Sequence, residues 1–164
     1  MIRYARLDTA VGTLLATAQD GRLTGLYFDG KPHAPQTLPD WHEDPRGKPF
    51  AECARQIDEY LDGKRDAFDL PLAPSGTDFQ QRVWREIARI PYGGKITYAE
   101  LARRAGAPGS ARAAGAATGR NPLSIVVPCH RVVGSGGSLT GYAGGIERKA
   151  RLLALEARRA AIAA

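Results

Sequence analysis

The feature that most constrains this chain is the stretch 125–131, which reads Ile-Val-Val-Pro-Cys-His-Arg. Its β-branched start, bounded by a proline, predicts a buried strand that stops at Pro128. Cys129 would therefore lie at the end of a rigid element. The thiolate is the reactive form of a cysteine, and His130 and Arg131 are neighbours of the kinds that raise its fraction. The stretch predicts a reactive thiol in a fixed position.

The geometry of this stretch leaves alternatives open. In an extended chain, consecutive side chains point to opposite faces of the strand. His130 can therefore act on the sulfur of Cys129 only if the backbone turns or a water relays the proton. The other interpretation is that Cys129 is a small core residue and His130 a surface residue, because most cysteines outside disulfides behave as buried apolar groups.

Charge divides the chain near residue 72. Residues 1–72 carry a net charge of −3 and residues 73–164 carry +9, within a total of +6. A basic half that contains the reactive thiol favours a polyanionic partner, and nucleic acid is the usual one. The alternative is a basic surface that only improves solubility. The charge boundary and the Pro-Ser-Gly linker at 74–76 predict two domains, residues 1–72 and 77–164.

Several features bear on the cellular compartment. No apolar run is long enough to span a membrane, and residues 1–4 do not begin a signal peptide. The two cysteines, Cys53 and Cys129, do not suggest a disulfide framework, and a reactive thiol needs a reducing compartment. We therefore expect a cytoplasmic protein. His33, His42 and Cys53 are too scattered for a structural zinc site, so we expect no metal.

The first half has the pattern of an antiparallel meander followed by a helix. Three segments rich in β-branched and aromatic residues are separated by turn signals: 2–7, 13–18 and 23–28. The Pro-, Asp- and Gly-rich residues 31–48 predict a loop. Apolar residues at helical spacing predict a helix that begins at Phe50, places Cys53 in the core and ends at Gly63. Residues 68–72 fit one more strand.

The second half is mainly helical and contains a helix-turn-helix pattern. A helix is predicted over residues 78–90. Thr97 and Glu100 have the spacing of a capping box for a short helix. After a glycine-containing turn, Ser110 can cap a second short helix, which Gly119 terminates. In DNA-binding proteins the second helix of such a pair is the recognition helix.

The predicted recognition helix is unusual because almost all of its side chains are small. Arg112 is its single long side chain, and the small residues are Ser110, Ala111, Ala113, Ala114, Gly115, Ala116 and Ala117. A helix that reads base edges in the major groove normally carries several long polar side chains. Small residues instead let the backbone approach DNA closely, as in a minor groove, while one arginine enters the base stack. The alternative is a tightly packed internal helix.

The end of the chain adds a glycine-rich segment and a last helix. Residues 134–145 hold six glycines but match no phosphate-binding loop, so they predict a flexible or closely approaching loop near Cys129. A last helix is predicted over residues 146–158. Glu156 is the only carboxylate in its second half. It either is solvated or, lying among leucines, turns inward toward His130.

Together these motifs resemble the O6-alkylguanine-DNA alkyltransferase family (methylated-DNA–protein-cysteine methyltransferases). The resemblance rests on Pro-Cys-His-Arg at 128–131, on Arg-Asn-Pro at 120–122 and on the small-residue helix with Arg112, and it covers residues 77–157 most clearly. It implies an α+β fold, with an N-terminal ribonuclease-H-like antiparallel sheet and helix. The C-terminal domain would be mainly helical and winged-helix-like, with the helix-turn-helix.

The resemblance implies DNA repair by direct transfer of an alkyl group to the protein's own cysteine. The substrate would be O6-alkylguanine, and also O4-alkylthymine, flipped out of the helix. The thioether product is inert to water, so the transfer would be irreversible, with one turnover per molecule and no metal or other cofactor. The implied partner is double-stranded DNA that contains alkylated guanine, bound in the minor groove by a monomer with possible cooperativity along the DNA.

The resemblance also implies roles for individual residues. Cys129 would be the alkyl acceptor, and His130 and Glu156 the relay that deprotonates it through a water. Asn121 would brace the turn before Cys129, although an Asn-Pro turn is its simpler interpretation. Tyr98 would donate a proton or hydrogen bond to the leaving guanine.

The remaining roles belong to the DNA interface and the substrate pocket. Arg112 would replace the extruded guanine in the stack. Its neighbours at the DNA interface would be Ser110, Ala111, Ala113, Gly115 and Arg120. The pocket would have Tyr142 as its aromatic wall, together with Arg131, Gly144 and the backbone groups of Val132 and Ala143.

Two other functions stay open at this point. The first is a transcription factor with a buried, inert Cys129, against which stands the lack of base-reading side chains on residues 110–118. The second is a Cys-His hydrolase of small thioesters or amides. That function explains neither the helix-turn-helix nor the basic half.

Overall fold

The computed structural model describes residues 1–163, which divide into two compact units. The first unit comprises residues 1–75 and 122–126, and the second comprises residues 76–121 and the chain from residue 127 onward. The mixed α+β architecture expected from the sequence is confirmed. Within residues 1–163, no helix is both long and apolar enough to cross a lipid bilayer.

The first unit is built on the predicted antiparallel meander. Its strands are β1 (Arg3–Thr9), β2 (Gly12–Gln19), β3 (Arg22–Phe28) and β4 (His42–Glu43), in the order β3-β2-β1-β4. Asp20 and Gly21 both have positive φ, 52° and 78°, as the tight turn between β2 and β3 requires. β4 pairs in parallel with β1. The predicted loop 31–48 therefore contains one short strand that its composition did not reveal.

The predicted helix of the first half is α1 (Phe50–Leu61), which contacts β1. It buries one apolar face, formed by Phe50, Cys53, Ile57 and Tyr60. The prediction that Cys53 is a core residue is confirmed, because none of its surface is exposed. Burial raises the pKa of its thiol to about 12.

The strand predicted over residues 68–72 is wrong except at one residue. Only Leu72 pairs with the sheet, in a single bridge to Leu23. The side chain of Gln56 forms two hydrogen bonds with the backbone of Asp69, each 2.9 Å. Because this amide already satisfies the backbone of Asp69, and Pro71 has no N–H, the segment cannot extend the ladder.

The strand predicted over residues 125–127 is also wrong. The chain pairs with β3 at Leu123 and then turns, with Ile125 at φ 71°. The Val126 N–H donates to the Ser124 carbonyl at 2.8 Å, which closes a tight turn. Ile125 and Val127 are buried, as the composition of the run predicts, but burial by itself does not distinguish a strand from a turn.

Within residues 76–121 and 127–163, the second unit contains four α-helices and two short strands. They are α2 (Asp78–Ala88), β5 (Ile96–Thr97), α3 (Tyr98–Arg104), α4 (Ala111–Gly119), β6 (Val132–Val133) and α5 (Ile146–Ala163). The helix-turn-helix prediction is confirmed by α3 and α4. β5 and β6 form a parallel pair that the sequence did not indicate. The indole N–H of Trp84 donates to the Ala117 carbonyl at 2.8 Å and joins α2 to α4.

Three of the predicted helix caps differ from those in the structure. The Thr97 hydroxyl accepts from the Glu100 N–H, but the Glu100 carboxylate binds Arg103 and Arg104, so only half of the capping box forms. Ser110 occupies the N-cap of α4 without capping it, because its backbone (φ −104°, ψ 44°) is not extended. Gly119 is the last residue of α4 and not its terminator.

Candidate active site

The chain at Cys129 turns at once into one turn of 3-10 helix, Cys129–Arg131. The Arg131 N–H donates to the Pro128 carbonyl at 2.9 Å and closes this turn. In 3-10 geometry successive side chains are about 120° apart around the axis, and no longer on opposite faces. The expectation of a backbone turn at this point is confirmed.

The Cys129 thiol is buried, although 6 % of the residue's surface remains exposed. Burial raises the pKa of this thiol, because desolvation disfavours the thiolate. A hydrogen bond from the Asn121 side chain and the positive charge of Lys149 act in the opposite direction. The resting sulfur is therefore a thiol, and its activation requires both a proton acceptor and nearby positive charge.

Asn121 connects the end of α4 to the turn that carries the thiol. Its side-chain Nδ2 donates to the Val127 carbonyl at 2.9 Å, and its backbone N–H donates to the Thr118 carbonyl at 3.1 Å. The residue is buried, so these bonds are shielded from water. This geometry suits the bracing role expected for Asn121.

Glu156 is the centre of a buried hydrogen-bond network. The residue is fully buried, and its carboxylate lies 2.7 Å from Nε2 of His130. It accepts from Nε of Arg131 at 2.8 Å, from Nη2 of Arg131 at 3.0 Å and from the backbone N–H of Gly93 at 3.2 Å. Of the two alternatives left open for Glu156, the structure shows the inward one, toward His130.

This network determines the state of the His130 imidazole. Burial lowers the pKa of His130, and the charges of Arg131 and Lys149 lower it further, against the raising effect of Glu156. The imidazole is therefore neutral. Because an ionised carboxylate only accepts hydrogen bonds, Nε2 carries the proton and the lone pair is on Nδ1. Such an imidazole is oriented to accept a proton at Nδ1.

Arg131 corrects the sequence prediction, which placed it in the substrate pocket and beside the thiol as a cationic neighbour. Its guanidinium binds both oxygens of Glu156 and donates to the Ile90 carbonyl at 2.6 Å. It also lies 5.7 Å from the ring centroid of Tyr92. The guanidinium presents paired N–H donors that match the two oxygens of a carboxylate, so Arg131 neutralises Glu156 in the interior.

Two tyrosines lie near the thiol and the imidazole. Tyr98 is half-buried at the start of α3, and its hydroxyl donates to the Thr140 carbonyl at 3.2 Å. Burial raises the pKa of Tyr98, and a thiolate at Cys129 raises it further, so the hydroxyl keeps its proton. The Tyr142 ring meets the His130 ring edge-on, with centroids 6.4 Å apart. Both positions agree with the pocket expected from the sequence.

The other expected pocket residues lie on the same stretch of chain. Val132 is buried in β6 and pairs with Ile96 of β5. Ala143 is half-buried, and the carbonyl of buried Gly144 accepts from Arg148 at 3.1 Å. The pairing of β6 and the bond to Gly144 hold the two ends of the glycine-rich segment.

Helix α4 has one packed face and one exposed face. Ala114, Ala117 and Thr118 are buried, whereas Arg112 and Ala113 are exposed. The remaining residues expected at the DNA interface are exposed at Arg120 and half-buried at Ser110, Ala111 and Gly115. A Cβ on Gly115 would lie 3.7 Å from the Tyr98 ring, an ordinary van der Waals contact, so packing against Tyr98 does not require glycine at this position. Helix α4 therefore packs against the rest of the unit through one face and leaves Arg112 accessible on the other, so both interpretations of its small residues apply.

Lys149 is the residue that the sequence prediction missed. It is fully buried, which is rare for a lysine, and its charge acts on both Cys129 and His130. A signal was present, because positions 149, 152 and 156 share one face of a helix. Leu152 and Glu156, the other two residues of that face, are both buried.

Gly93 provides a test of the Glu156 network. Its φ of 80° favours glycine, and an added Cβ would lie 3.0 Å from the Cβ of Ala160. We expect Gly93→Ala to lower the free energy of unfolding by about 1–2 kcal/mol. Gly119→Ala is the control, because its helical position has no heavy atom within 4 Å of the added Cβ. If denaturant unfolding shows equal stability for the two variants, the tightly packed, left-handed backbone at Gly93, which places its N–H against Glu156, is contradicted.

Comparisons with known proteins point to one family. Residues 78–158 match the family model described as 6-O-methylguanine DNA methyltransferase, DNA binding domain, and residues 2–74 match its ribonuclease-like domain. A methylated-DNA–protein-cysteine methyltransferase of Mycolicibacterium paratuberculosis is 46% identical over 96% of this chain and 94% of its own. The one from Methanosarcina barkeri is 44% identical over 93% of this chain and 96% of its own.

The solved structures agree with the sequence relatives. The crystal structure of Mycobacterium tuberculosis OGT in complex with DNA superposes with a TM-score of 0.88 at 43% identity. The match covers 96% of this chain and 94% of that one. Similarity at this level extends over both units of the chain.

Proposed function

This chain belongs to the 6-O-methylguanine DNA methyltransferase family, and from that premise we propose which residues carry its reaction. It is a DNA-binding methyltransferase that repairs DNA by direct alkyl transfer to protein cysteine. The observation that carries the assignment of residues is the 3-10 turn Cys129–Arg131, where the cysteine precedes an imidazole that buried Glu156 anchors.

Cys129 is the alkyl acceptor in this proposal, and His130 accepts its proton. The lone pair on Nδ1 of the neutral imidazole receives the proton through a bridging water. Glu156 holds the ring by its bond to Nε2 and stabilises the imidazolium that forms. Cys53 is a poor alternative acceptor, because its pKa of about 12 leaves almost no thiolate at neutral pH.

The thiolate then attacks the alkyl carbon on O6 of the damaged guanine. The sulfur–carbon bond forms while the carbon–oxygen bond breaks, and the electron pair leaves with the guanine. Tyr98, whose raised pKa keeps its hydroxyl protonated, donates to the departing base. Tyr142 forms the aromatic wall of the pocket, and the backbone groups of Val132 and Ala143 meet the edges of the base.

DNA reaches this site through α4. The small residues Ala113 and Ala116 are exposed and allow the helix to approach the floor of the minor groove. Arg112, also exposed, enters the stack where the damaged nucleotide has left it. A base in a stacked duplex cannot present its O6 substituent to a protein side chain, so the nucleotide must flip out first.

The product limits each molecule to one reaction. A thioether does not hydrolyse, so Cys129 is not regenerated. We propose that the protein acts as a monomer, and that it works in the cytoplasm, where the thiol stays reduced. A sequence-reading transcription factor is disfavoured, because α4 exposes one arginine among small residues.

Mass spectrometry after mixing the protein with duplex DNA that contains O6-methylguanine tests the assignment of the acceptor. We expect a single added methyl group, located on Cys129 in the peptide map. DNA with unmodified guanine is the control and should add nothing. A methyl group on another residue, or continued turnover beyond one equivalent of protein, would reject the proposal.

Replacing Arg112 with alanine tests the flipping step. We expect repair of methylated duplex to slow by about 10- to 100-fold, because flipping costs a few kcal/mol and about 1.4 kcal/mol corresponds to a factor of ten. Reaction with the free base O6-methylguanine should change little, since no stack must be opened. Arg151→Ala removes an exposed arginine from α5 and is the control for charge. If the rate falls equally on duplex and free base, Arg112 does not act by replacing the flipped nucleotide in the base stack.

A further inference from the structure

The loop that joins α2 to β5, residues 89–95, packs against α5 beside Glu156. The N–H of Gly93 donates to the Glu156 carboxylate at 3.2 Å. A Cβ added to Gly93 would lie 3.0 Å from the Cβ of Ala160 and 3.8 Å from the backbone carbonyl of Glu156. The charge of Glu156 also acts on the hydroxyl of the preceding residue, Tyr92. The backbone of the loop therefore lies directly on the helix and brings Tyr92 close to the buried carboxylate.

Two guanidinium groups lie close to the ring of Tyr92. Cζ of Arg131 is 5.7 Å from the ring centroid, and Cζ of Arg159 is 5.5 Å from it. Arg159 is half-buried on α5, and its Nη1 atom is buried. Burial raises the pKa of Tyr92, so its hydroxyl keeps its proton and the ring is neutral. A neutral aromatic ring attracts both cations through its quadrupole without adding a charge to the interior.

These contacts connect Tyr92 to the imidazole of the proposed reaction. The Arg131 guanidinium donates to both oxygens of Glu156, at 2.8 Å and 3.0 Å. The same carboxylate lies 2.7 Å from Nε2 of His130. A continuous series of contacts thus runs from Arg159 through Tyr92, Arg131 and Glu156 to His130. A change at the Tyr92 ring can therefore reach the imidazole without any contact to the thiol.

We propose that Tyr92 and Arg159 are positioning residues for His130, because they hold Arg131 against Glu156 and keep water away from the carboxylate that orients the imidazole. This inference rests on the proposed role of His130 as the acceptor of the thiol proton. A hydrogen bond to a carboxylate is stronger where water is excluded. Without the ring, water would compete for the carboxylate, and the imidazole would no longer be held in one orientation.

The spectroscopic test follows the proton on Nε2 of His130 by nuclear magnetic resonance. A proton in a 2.7 Å hydrogen bond to a buried carboxylate resonates far downfield and exchanges slowly with water. Its assignment is direct, because the other two histidines, His33 and His42, are exposed and exchange their ring protons rapidly. We expect Tyr92→Leu to shift this resonance upfield and to speed its exchange by about tenfold or more.

The kinetic test measures single-turnover methyl transfer from methylated duplex and from the free base O6-methylguanine. We expect Tyr92→Leu to slow both reactions by about tenfold, because both substrates depend on the same activation of the thiol. Tyr92→Phe keeps the ring and should restore both the rate and the His130 resonance. Tyr27→Leu removes a half-buried tyrosine from β3 of the first unit and is the control for a general loss of stability.

The two readouts distinguish failure of this inference from failure of the proposed function. An unshifted His130 resonance in Tyr92→Leu overturns the inference, and so does a Tyr92→Phe variant that loses as much as Tyr92→Leu. A loss of rate confined to duplex also overturns it, because that pattern indicates an effect on DNA and not on the imidazole. If the wild-type protein shows the downfield resonance but transfers no methyl group, the proposed function fails instead.

Arg159→Met provides a second variant that does not depend on the folding of Tyr92→Leu. The substitution removes one cation and leaves the Tyr92 ring in place. We expect the exchange of the His130 Nε2 proton to become about three- to tenfold faster. Arg158→Met removes the neighbouring exposed arginine and should leave this exchange unchanged. Equal exchange rates in these two variants overturn the inference.

Discussion

Replacing Cys129 with alanine is expected to reduce methyl transfer from one methyl group per protein molecule to none. The variant loses the nucleophile itself, and the side chains of His130 and Glu156 are buried and bound to each other. Binding to methylated duplex should persist, because α4 and the exposed Arg112 are unchanged. Transfer of radiolabelled methyl to protein and a gel-shift titration on the same duplex measure the two properties separately.

Cys53→Ala is the matched control for this variant. Cys53 is also a buried cysteine outside any disulfide, but it lies in the first unit, on α1. With its pKa raised to about 12, this thiol contributes almost no thiolate at neutral pH. The control should transfer methyl at the wild-type rate. If Cys129→Ala still accepts methyl groups and this transfer disappears only when Cys53 is also replaced, then Cys53 is an acceptor and the assignment of Cys129 is wrong.

The sequence predicted the order of elements and most of the residues near the thiol. The periodicity of α1 and the turn signals between β1, β2 and β3 are local, so they could be recognised without a structure. The local pattern left Glu156 either solvated or turned inward, the resemblance implied the inward position, and the structure places Glu156 against His130. The local sequence pattern was sufficient to predict an element when the spacing of its apolar residues and its turn residues fits only one type of secondary structure.

The errors arose where contacts distant in sequence decide the backbone. The apolar run 125–127 is buried, but the single bridge at Leu123 and the left-handed Ile125 make it a turn. Arg131 was expected beside the thiol, yet Glu156, 25 residues away in the sequence, holds its guanidinium. No pattern near Arg131 reports this partner. Lys149 was overlooked for the same reason, because a lysine is assumed to be solvated until its carbonyl partners are known.

Replacing Glu156 with glutamine is expected to damage both stability and methyl transfer. The change leaves the Arg131 guanidinium buried without its anion, and breaking one side of a buried pair costs about 3–5 kcal/mol. The glutamine side chain also places an amide N–H group against the donors of Arg131 and Gly93, which bind a carboxylate oxygen in the wild-type protein. Methyl transfer should fall by about 100-fold or more, because His130 loses the partner that orients it. Glu147→Gln changes an exposed carboxylate on the same helix and should alter stability by less than about 0.5 kcal/mol.

The two effects of this substitution can be separated by removing the arginine as well. In the double variant Arg131→Met, Glu156→Gln the guanidinium that Glu156 neutralised is also gone, so stability should return to within about 1–2 kcal/mol of the wild type. Methyl transfer should stay low, because Nε2 of His130 still lacks a carboxylate. Urea unfolding measures the first quantity, and single-turnover transfer at a temperature where all variants are folded measures the second. Recovery of both would mean that Glu156 only neutralises Arg131, and the relay through His130 would then have to work without an anionic partner.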